Sequence, residues 1–263
     1  MKKNWILLFI TTLLFVGCDV IPENDRVIEM EKTIPLKRIL LLDFTDQGCI
    51  NCLRATDEIQ SLLNIYKDTL IAVSIHAAPR AFSLVTEDGN RYDEYFKVSG
   101  HPTGIIDGVF SSSNPQLWNG YIMERAIIPP ILSLELSVSY EEETRKLNTV
   151  SRIKGLAKHS GLRLLLWVVE SKIIDRQLML DGQYKLDYEH NHVFRAAING
   201  TWGSDAFSMD EQEEKTMENS YTLNEKWKTE NISIVSFIYD AHSNEVLDVA
   251  ETTITDNESE KPE

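Results

Sequence analysis

The chain has 263 residues, of which 43% are hydrophobic, and it carries a formal net charge of −15 at pH 7. This length exceeds the usual size of a single domain, about 100 to 150 residues, and therefore predicts two hydrophobic cores. The acidic balance excludes nucleic acid and anionic membrane surfaces as partners, because their negative charges would repel the protein.

The first 17 residues have the pattern of a secretory signal. Two lysines precede an apolar stretch from Trp5 to Val16, which is too short to cross a membrane comfortably. Gly17 followed by Cys18 is typical of a bacterial lipobox, so we predict cleavage before Cys18 and lipid attachment to it; the alternative is an ordinary cleaved signal. Cleavage would take the net charge from −15 to −17, since residues 1–17 contain two lysines and no acidic residue.

Residues 18–35 are polar, acidic and bracketed by prolines, which predicts a tether. Residues 36–130 then alternate strand and helix patterns. The runs "RILLLDF", "TLIAVSIH" and "GII" have the composition of buried strands, whereas "CLRATDEIQSLLNIY" and "NPQLWNGYIMERAI" have helical spacing. This alternation predicts an α/β domain whose helices cover both faces of a mixed or parallel sheet.

Residues 131–254 have a different period. In "ILSLELSVSY" apolar and polar residues alternate, as in a half-buried strand. Further runs bring the total to about seven strands without a helix, which predicts an immunoglobulin-like sandwich. These runs are "LNTVSRIKG", "LRLLLWVVES", "HVFRAAING", "NSYTLNE", "NISIVSFIYD" and "EVLDVAETTI". The acidic segment "MDEQEEKTMENS" is interpreted as a surface loop or short helix, and residues 255–263 as an acidic tail.

Cys49 and Cys52 stand two residues apart, directly after a predicted strand and at the start of a predicted helix. If Cys18 carries lipid, they are the remaining pair among three cysteines, in a compartment where disulfides persist. The amides and dipole of a helix N-terminus favour the thiolate of Cys49, which would attack a partner. Cys52 would then resolve the mixed disulfide.

Two other interpretations of the pair remain open. It could be a permanent disulfide that staples the helix end. It could also bind copper or zinc together with His76 and His101, which lie next to predicted strand ends. His190 and His192, in "DYEHNHVFRA", are interpreted as residues of a strand entry with satisfied polar groups rather than as a ligand pair.

Asp43 ends a predicted strand, Cys49 follows six residues later, and "GHPT" precedes the third strand. From Leu36 to Ile128 this arrangement resembles the thioredoxin fold. The resemblance implies that Asp43 is a buried acid which assists proton removal from Cys52. It also implies that the peptide bond before Pro102 is cis.

The same resemblance implies a substrate-binding role for the neighbours of Pro102. The backbone at His101 and Thr103 would lie beside Cys49 and pair with an extended substrate segment. The residues before and between the cysteines differ from the tryptophan and Gly-Pro that are usual in that fold, so the resemblance implies no redox potential.

The stretch "YEHNHVFRA", together with "DFTDQGCINC" and the lipobox, resembles the outer membrane protein 28-related lipoprotein family of Gram-negative anaerobes. This resemblance implies a thioredoxin-like domain followed by an all-β domain on an outer-membrane anchor. The residues that carry it are Phe44, Thr45, Gly48, Cys49, Asn51, Cys52, Tyr188, His190, Asn191, His192 and Arg195.

We therefore predict an outer-membrane lipoprotein that is anchored through its N-terminal lipid. It would exchange disulfides with exported or envelope proteins through its cysteine pair, as a thiol-disulfide oxidoreductase without a cofactor or metal. The alternative is a non-catalytic surface or periplasmic lipoprotein with a binding or adhesion function, in which the disulfide is structural.

Overall fold

The computed structural model describes residues 37–77 and 82–254, which hold fourteen strands and three α-helices. The predicted signal, tether and acidic tail lie outside the described residues. The helices are α1 (Cys52–Tyr66), α2 (Glu87–Tyr95) and α3 (Trp118–Ala126). The strands are β1 (Ile39–Thr45), β2 (Leu70–His76), β3 (Thr103–Ile106), β4 (Phe110–Ser112), β5 (Leu132–Glu141), β6 (Lys146–Gly155), β7 (His159–Glu170), β8 (Ile173–Leu178), β9 (Tyr184–His190), β10 (Val193–Ala197), β11 (Phe207–Met209), β12 (Glu214–Thr222), β13 (Ile232–Asp240) and β14 (Val246–Thr253).

Nine of these strands form one mixed sheet, in the order β14-β13-β7-β10-β2-β1-β3-β4 with β11 paired to β7. β1 lies parallel to β2 and antiparallel to β3, and β10 pairs in parallel with the other edge of β2. Every residue of β1 is buried, as expected for a central strand covered on both faces. The sheet therefore continues from strands that precede Pro130 into strands that follow it.

The predicted fold class is wrong. The patterns predicted an α/β thioredoxin-like domain followed by an all-β immunoglobulin-like sandwich, but the described chain is mainly β, and its large mixed sheet combines strands from both halves. The reason is visible in β7, where residues 164–170 are all buried. A run that is buried on both faces fits the centre of any sheet, so its period does not show which sheet it joins.

Three hydrophobic clusters pack against the sheets. One face of β1, β2 and β3 packs under α1 and α3, where a Cβ on Gly104 would come within 2.2 Å of the Trp118 ring. The third cluster lies between β7, β13 and β14 and the three-stranded sheet β12-β6-β5. The remaining cluster is aromatic and lies on the opposite face of the large sheet, where residues from both halves of the chain pack together. It includes Phe44, Tyr92, Trp167, Phe194 and Phe237.

A buried charge cluster joins the start of the described chain to α3. Asp107 accepts hydrogen bonds from Lys37 Nζ at 2.5 Å and from Arg125 Nε at 2.9 Å. Its second carboxylate oxygen accepts from the Leu40 N–H at 2.9 Å. Lys37 and Arg125, called here the two buried cations, are almost completely buried, and burial lowers the pKa of Lys37.

The sequence patterns missed the short strands β4 and β11 and two longer strand regions. The acidic segment interpreted as a loop or short helix contains most of β12, whose residues alternate between exposed and partly buried along the edge of the three-stranded sheet. β8 and β9 form a separate two-stranded hairpin, in which seven of the thirteen residues are exposed, among them the apolar Ile174 and Leu186. Charged residues on the solvent side hide the period-two signal in both regions.

Candidate functional site

The Cys49–Cys52 disulfide stands at the N-terminus of α1. Cys52 is the first residue of the helix and only 3% exposed, whereas Cys49 lies in the preceding loop and is partly exposed. The Cys52 N–H donates to the Cys49 sulfur, with 3.1 Å between N and Sγ. This amide and the helix dipole stabilise negative charge on that sulfur. A partner that approaches from solvent therefore meets Cys49.

An open groove runs past Cys49. One part, of about 800 Å³, lies between the start of α1 and the segment that contains His101 and Pro102, and an adjoining part of about 440 Å³ reaches Cys49. The His101–Pro102 peptide bond is cis, the geometry that the resemblance implied. Thr103 is buried, and its hydroxyl donates to the Gly100 carbonyl at 2.6 Å. His101 and Pro102 therefore line the groove, whereas the Thr103 side chain does not.

His101 connects the cysteine loop to α2. Its Nδ1 lies 3.2 Å from Asp46 Oδ2, and its Nε2 lies 3.0 Å from Asp93 Oδ1. Burial lowers the pKa of His101, but the hydrogen bonds and charges of the two carboxylates outweigh this effect and raise the pKa above its ordinary value. The two acids thus favour the charged form of the imidazole, which lies next to the groove.

Asp43 lies behind the disulfide, at the carboxyl half of β1. It is 1% exposed, and within the described residues its Oδ1 has no hydrogen-bond partner. Burial raises the pKa of Asp43 to about 7, although the positive charge of His101 works in the opposite direction. The carboxyl and Cys52 line the same small cavity, of about 50 Å³. Asp43 is therefore an acid-base group at neutral pH that lies close to the buried cysteine.

The β8–β9 hairpin forms the other wall of this cavity. The sequence patterns did not predict that this hairpin lies against the cysteine pair. Gln177 of β8 lines the cavity, and its Nε2 donates to the Cys49 carbonyl at 3.1 Å. Tyr188 and His190 of β9 also line it, with 4.8 Å between their ring centroids. The stretch that contains these two residues carried the family resemblance, but nothing in its spacing placed it against the cysteines.

Gln47, in the cysteine loop, fixes the position of the hairpin. It is 0% exposed, its Nε2 donates to the Arg176 carbonyl at 3.0 Å, and its backbone carbonyl accepts from the Leu178 N–H at 2.9 Å. Its Oε1 accepts from Ser83 Oγ and from the Leu84 N–H, both at 3.2 Å. A single side chain therefore ties the loop before Cys49 to the hairpin and to the segment before α2.

The histidines do not assemble into a metal site. His76 ends β2, burial lowers its pKa to about 3, and the His76 and His190 ring centroids lie 5.3 Å apart. His190 ends β9, whereas His192 lies in a turn with a φ of 57°, so the two do not share a strand. Across residues 37–77 and 82–254, no group of three or more His, Cys, Asp or Glu side chains is placed to hold a metal ion, and this includes the alternative set Cys49, Cys52, His76 and His101.

The structure thus brings most of the predicted site residues together near the carboxyl ends of the central strands β1 and β2. Cys49, His101 and Pro102 face the groove, and Cys52 and Asp43 lie behind them at the cavity. The predicted lipid attachment residue, Cys18, lies outside the described residues. No helix in the described part of the chain is long and apolar enough to cross a membrane.

Residues 89–258, more than half of the chain, match the model of the family described as outer membrane protein Omp28. This segment contains the hairpin and the His101–Pro102 bond but begins after the cysteine pair. No curated protein matches the sequence.

Solved structures resemble the fold of this chain. HBP35 of Porphyromonas gingivalis has a TM-score of 0.69 and 13% identity, with 83% of this chain and 76% of that chain covered. Protein AGR_C_4864 of Agrobacterium tumefaciens has a TM-score of 0.52 and 12% identity, with coverage of 87% and 98%. A domain of the outer membrane lipoprotein Omp28 of Porphyromonas gingivalis is 23% identical over 49% of this chain and 91% of its own, but its TM-score of 0.34 supports no argument about fold.

Proposed function

We propose a disulfide-exchange function for this chain, which belongs to the Omp28 family of outer membrane proteins. Membership of the family confirms the predicted location in the outer membrane of the cell envelope. Attachment through a lipid on Cys18 is part of the proposal, and it rests on the lipobox pattern of the sequence. The partners would be exported or envelope proteins that carry thiols or disulfides.

The observation that carries this proposal is the unequal environment of the two sulfurs. Cys49 is partly exposed in a groove, whereas Cys52 is buried beside a carboxyl whose pKa is about 7. A nucleophile from solvent can reach Cys49, and the buried acid is placed to exchange a proton with Cys52. A disulfide that only staples a helix end requires neither the groove nor the acid.

The exchange starts from the disulfide that the structure contains. A partner thiolate attacks the Cys49 sulfur and forms a mixed disulfide, while the Cys49–Cys52 bond breaks and leaves its electron pair on Cys52. The carboxyl proton of Asp43 passes to the Cys52 thiolate. A second partner thiolate then attacks the partner's own sulfur and displaces Cys49 as a thiolate. The partner gains a disulfide, and the cysteine pair gains two electrons.

The reverse sequence reduces a partner disulfide. Cys49 attacks it as a thiolate, the carboxylate of Asp43 accepts the proton of Cys52, and the Cys52 thiolate displaces the partner from Cys49. Both directions use the same groups and require no cofactor, because the two sulfurs carry the electrons. The partner's cysteine would lie in the groove lined by His101 and Pro102, whose volume of about 800 Å³ supports the binding of an extended segment.

Mixed-disulfide trapping in the native host tests the proposal. Cys52→Ser leaves Cys49 attached to any disulfide that it attacks, because no second thiol resolves the adduct. Cys49→Ser is the matched control, since it retains only a cysteine that is 3% exposed. We expect discrete adducts with Cys52→Ser that disappear on reduction and are absent from Cys49→Ser and from the double variant.

Absence of adducts in cells where the protein is abundant would contradict the proposal. Equal adducts in the two single variants would contradict it too, since the reaction would then not depend on the accessible sulfur. Either result would favour the alternative of a binding or adhesion lipoprotein with a structural disulfide.

A further inference from the structure

The β8–β9 hairpin lines the cavity that contains the buried cysteine, Cys52. The cavity beside Cys52 is bounded by α1 on one side and by Gln177, Tyr188 and His190 of the hairpin on the other. The hairpin is held in place by Gln47 from the cysteine loop and by its own bond to the Cys49 carbonyl. Two separate contacts therefore connect it to the loop that carries the disulfide.

Two polar atoms at this cavity are unusual. Asp43 Oδ1 and His76 Nδ1 are both buried, and neither has a hydrogen-bond partner among the described residues. Both residues line the cavity. Unpartnered buried groups are rare in folded proteins, and they point to a site where protons or water molecules move. A volume of about 50 Å³ is enough to admit a water molecule.

Several groups that titrate line this cavity with Asp43, and Cys52 joins them once the disulfide is reduced. Cys52 belongs to α1 and His76 to β2, while His101 acts on the carboxyl through its charge. The remaining groups come from the hairpin and the turn that follows it, namely Tyr188, Glu189, His190 and His192. Burial lowers the pKa values of the histidines at positions 76, 190 and 192, so these side chains are neutral at pH 7.

We propose that the hairpin is part of the redox site and that Tyr188 is a positioning residue which closes the cavity, so that the proton shared by Asp43 and Cys52 is kept from bulk water. This inference rests on the proposed function. Tyr188 is the large side chain suited to this role, because it is partly buried, packs against His190 and lines the cavity together with Asp43 and Cys52. Burial raises its own pKa, a hydrogen bond with the Thr56 side chain of α1 lowers it, and the charges of Asp57 and then Asp43 raise it further.

Removal of the Tyr188 ring should admit water to Asp43 and lower the pKa of the carboxyl from its value of about 7. A decrease of about one unit would reduce the protonated fraction at pH 7 from about one half to about one tenth. Protonation of the departing Cys52 thiolate would then be about five-fold slower at that pH.

The test compares Tyr188→Ala with Tyr188→Phe, which retains the ring, and with Tyr184→Ala, an exposed tyrosine on the same hairpin. Each oxidised protein is reacted with dithiothreitol from about pH 5 to 9, and the rate is divided by the thiolate fraction of the reagent. The carboxyl carbon of Asp43 is titrated separately by NMR. We expect both profiles to move to lower pH in Tyr188→Ala and to remain unchanged in the other two variants.

An unchanged Asp43 titration in Tyr188→Ala would overturn the inference, as would an equal shift in Tyr184→Ala. The two proposals can also fail separately. If Tyr188→Ala shifts the Asp43 titration but every protein reacts with dithiothreitol no faster than an exposed disulfide does, the closing role of Tyr188 is supported and the proposed function is contradicted. A shifted titration with an unshifted rate profile would overturn the link between the hairpin and the redox step.

Discussion

Ionisation of Asp43 should weaken the fold as the pH rises. The pKa of this carboxyl is about 7 in the folded protein and 3.8 for an ordinary aspartate, because burial penalises the charged form. A group whose folded pKa is raised binds more protons in the folded state, so its contribution to stability is complete below the unfolded pKa and is lost as the pH rises through the folded pKa. Stability should therefore fall as the pH rises from about 4 to about 7.

The rise in pKa from 3.8 to about 7 sets an upper bound of about 4 kcal/mol on the loss of unfolding free energy across this pH window, because each pKa unit corresponds to about 1.4 kcal/mol. Asp43→Asn cannot ionise, so its free energy of unfolding should lack this loss. We expect the difference in unfolding free energy between variant and wild type to change in favour of the variant by up to about 4 kcal/mol from pH 4 to pH 8. Any lost or gained hydrogen bond adds an offset that does not depend on pH.

Urea denaturation of the oxidised proteins at about pH 4, 6 and 8 measures this difference. Asp57→Asn, which removes an exposed carboxyl from the neighbouring helix α1, is the control. If the difference between Asp43→Asn and wild type stays constant across the range, or if Asp57→Asn gives the same trend, the argument that burial raises the pKa of Asp43 is refuted.

Three further predictions concern the contacts around the site. Gln47→Ala removes three side-chain hydrogen bonds and should lower the free energy of unfolding by about 2 to 4 kcal/mol in urea denaturation, whereas exposed Gln183→Ala should change little. Asp107→Ala leaves buried Lys37 without its carboxylate partner, while Arg125 keeps its ion pair with Glu245. It should cost about 3 to 5 kcal/mol in the same assay, a value that a loss below 1 kcal/mol would contradict. His101 has a raised pKa in the folded protein. Its contribution to the free energy of unfolding should therefore be complete below about pH 6.5 and be lost as the pH rises through the folded pKa. The stability difference between wild type and His101→Asn, measured from about pH 5.5 to 9, should therefore shrink with pH, and a constant difference would contradict the charged state of His101.

The parts of this structure that the sequence predicts are those with local signals. The run "CLRATDEIQSLLNIY" has helical spacing and is α1, from Cys52 to Tyr66. The apolar runs around residues 38–44 and 69–76 are β1 and β2, because strands with seven and six of their seven residues buried suit the centre of a sheet. Asn114 and Pro115 begin a helical segment, where Asn114 Oδ1 accepts from the Gln116 N–H at 3.2 Å.

The parts that the sequence does not predict depend on contacts between distant residues. Gln177 and Cys49 are 128 positions apart, and the hydrogen bond between them has no signature in either local pattern. The same applies to the parallel pairing of Val193 with Ser74, which extends the first half of the sheet into the second. The composition of a strand predicts that it is buried. Which strands pair with each other depends on the packing of distant side chains, such as those that meet in the aromatic cluster on one face of the sheet.

This division has a consequence for the function of the protein. The segment that identifies the family, residues 89–258, includes Tyr188 and the hairpin but excludes Asp43 and the cysteines. Family membership therefore supports the location, whereas the redox proposal depends on residues outside the matched segment. The contacts of Gln47 and Gln177 join the two parts physically. If Tyr188→Ala moves the titration of Asp43, the family-defining segment controls the chemistry of a cysteine pair that it does not contain.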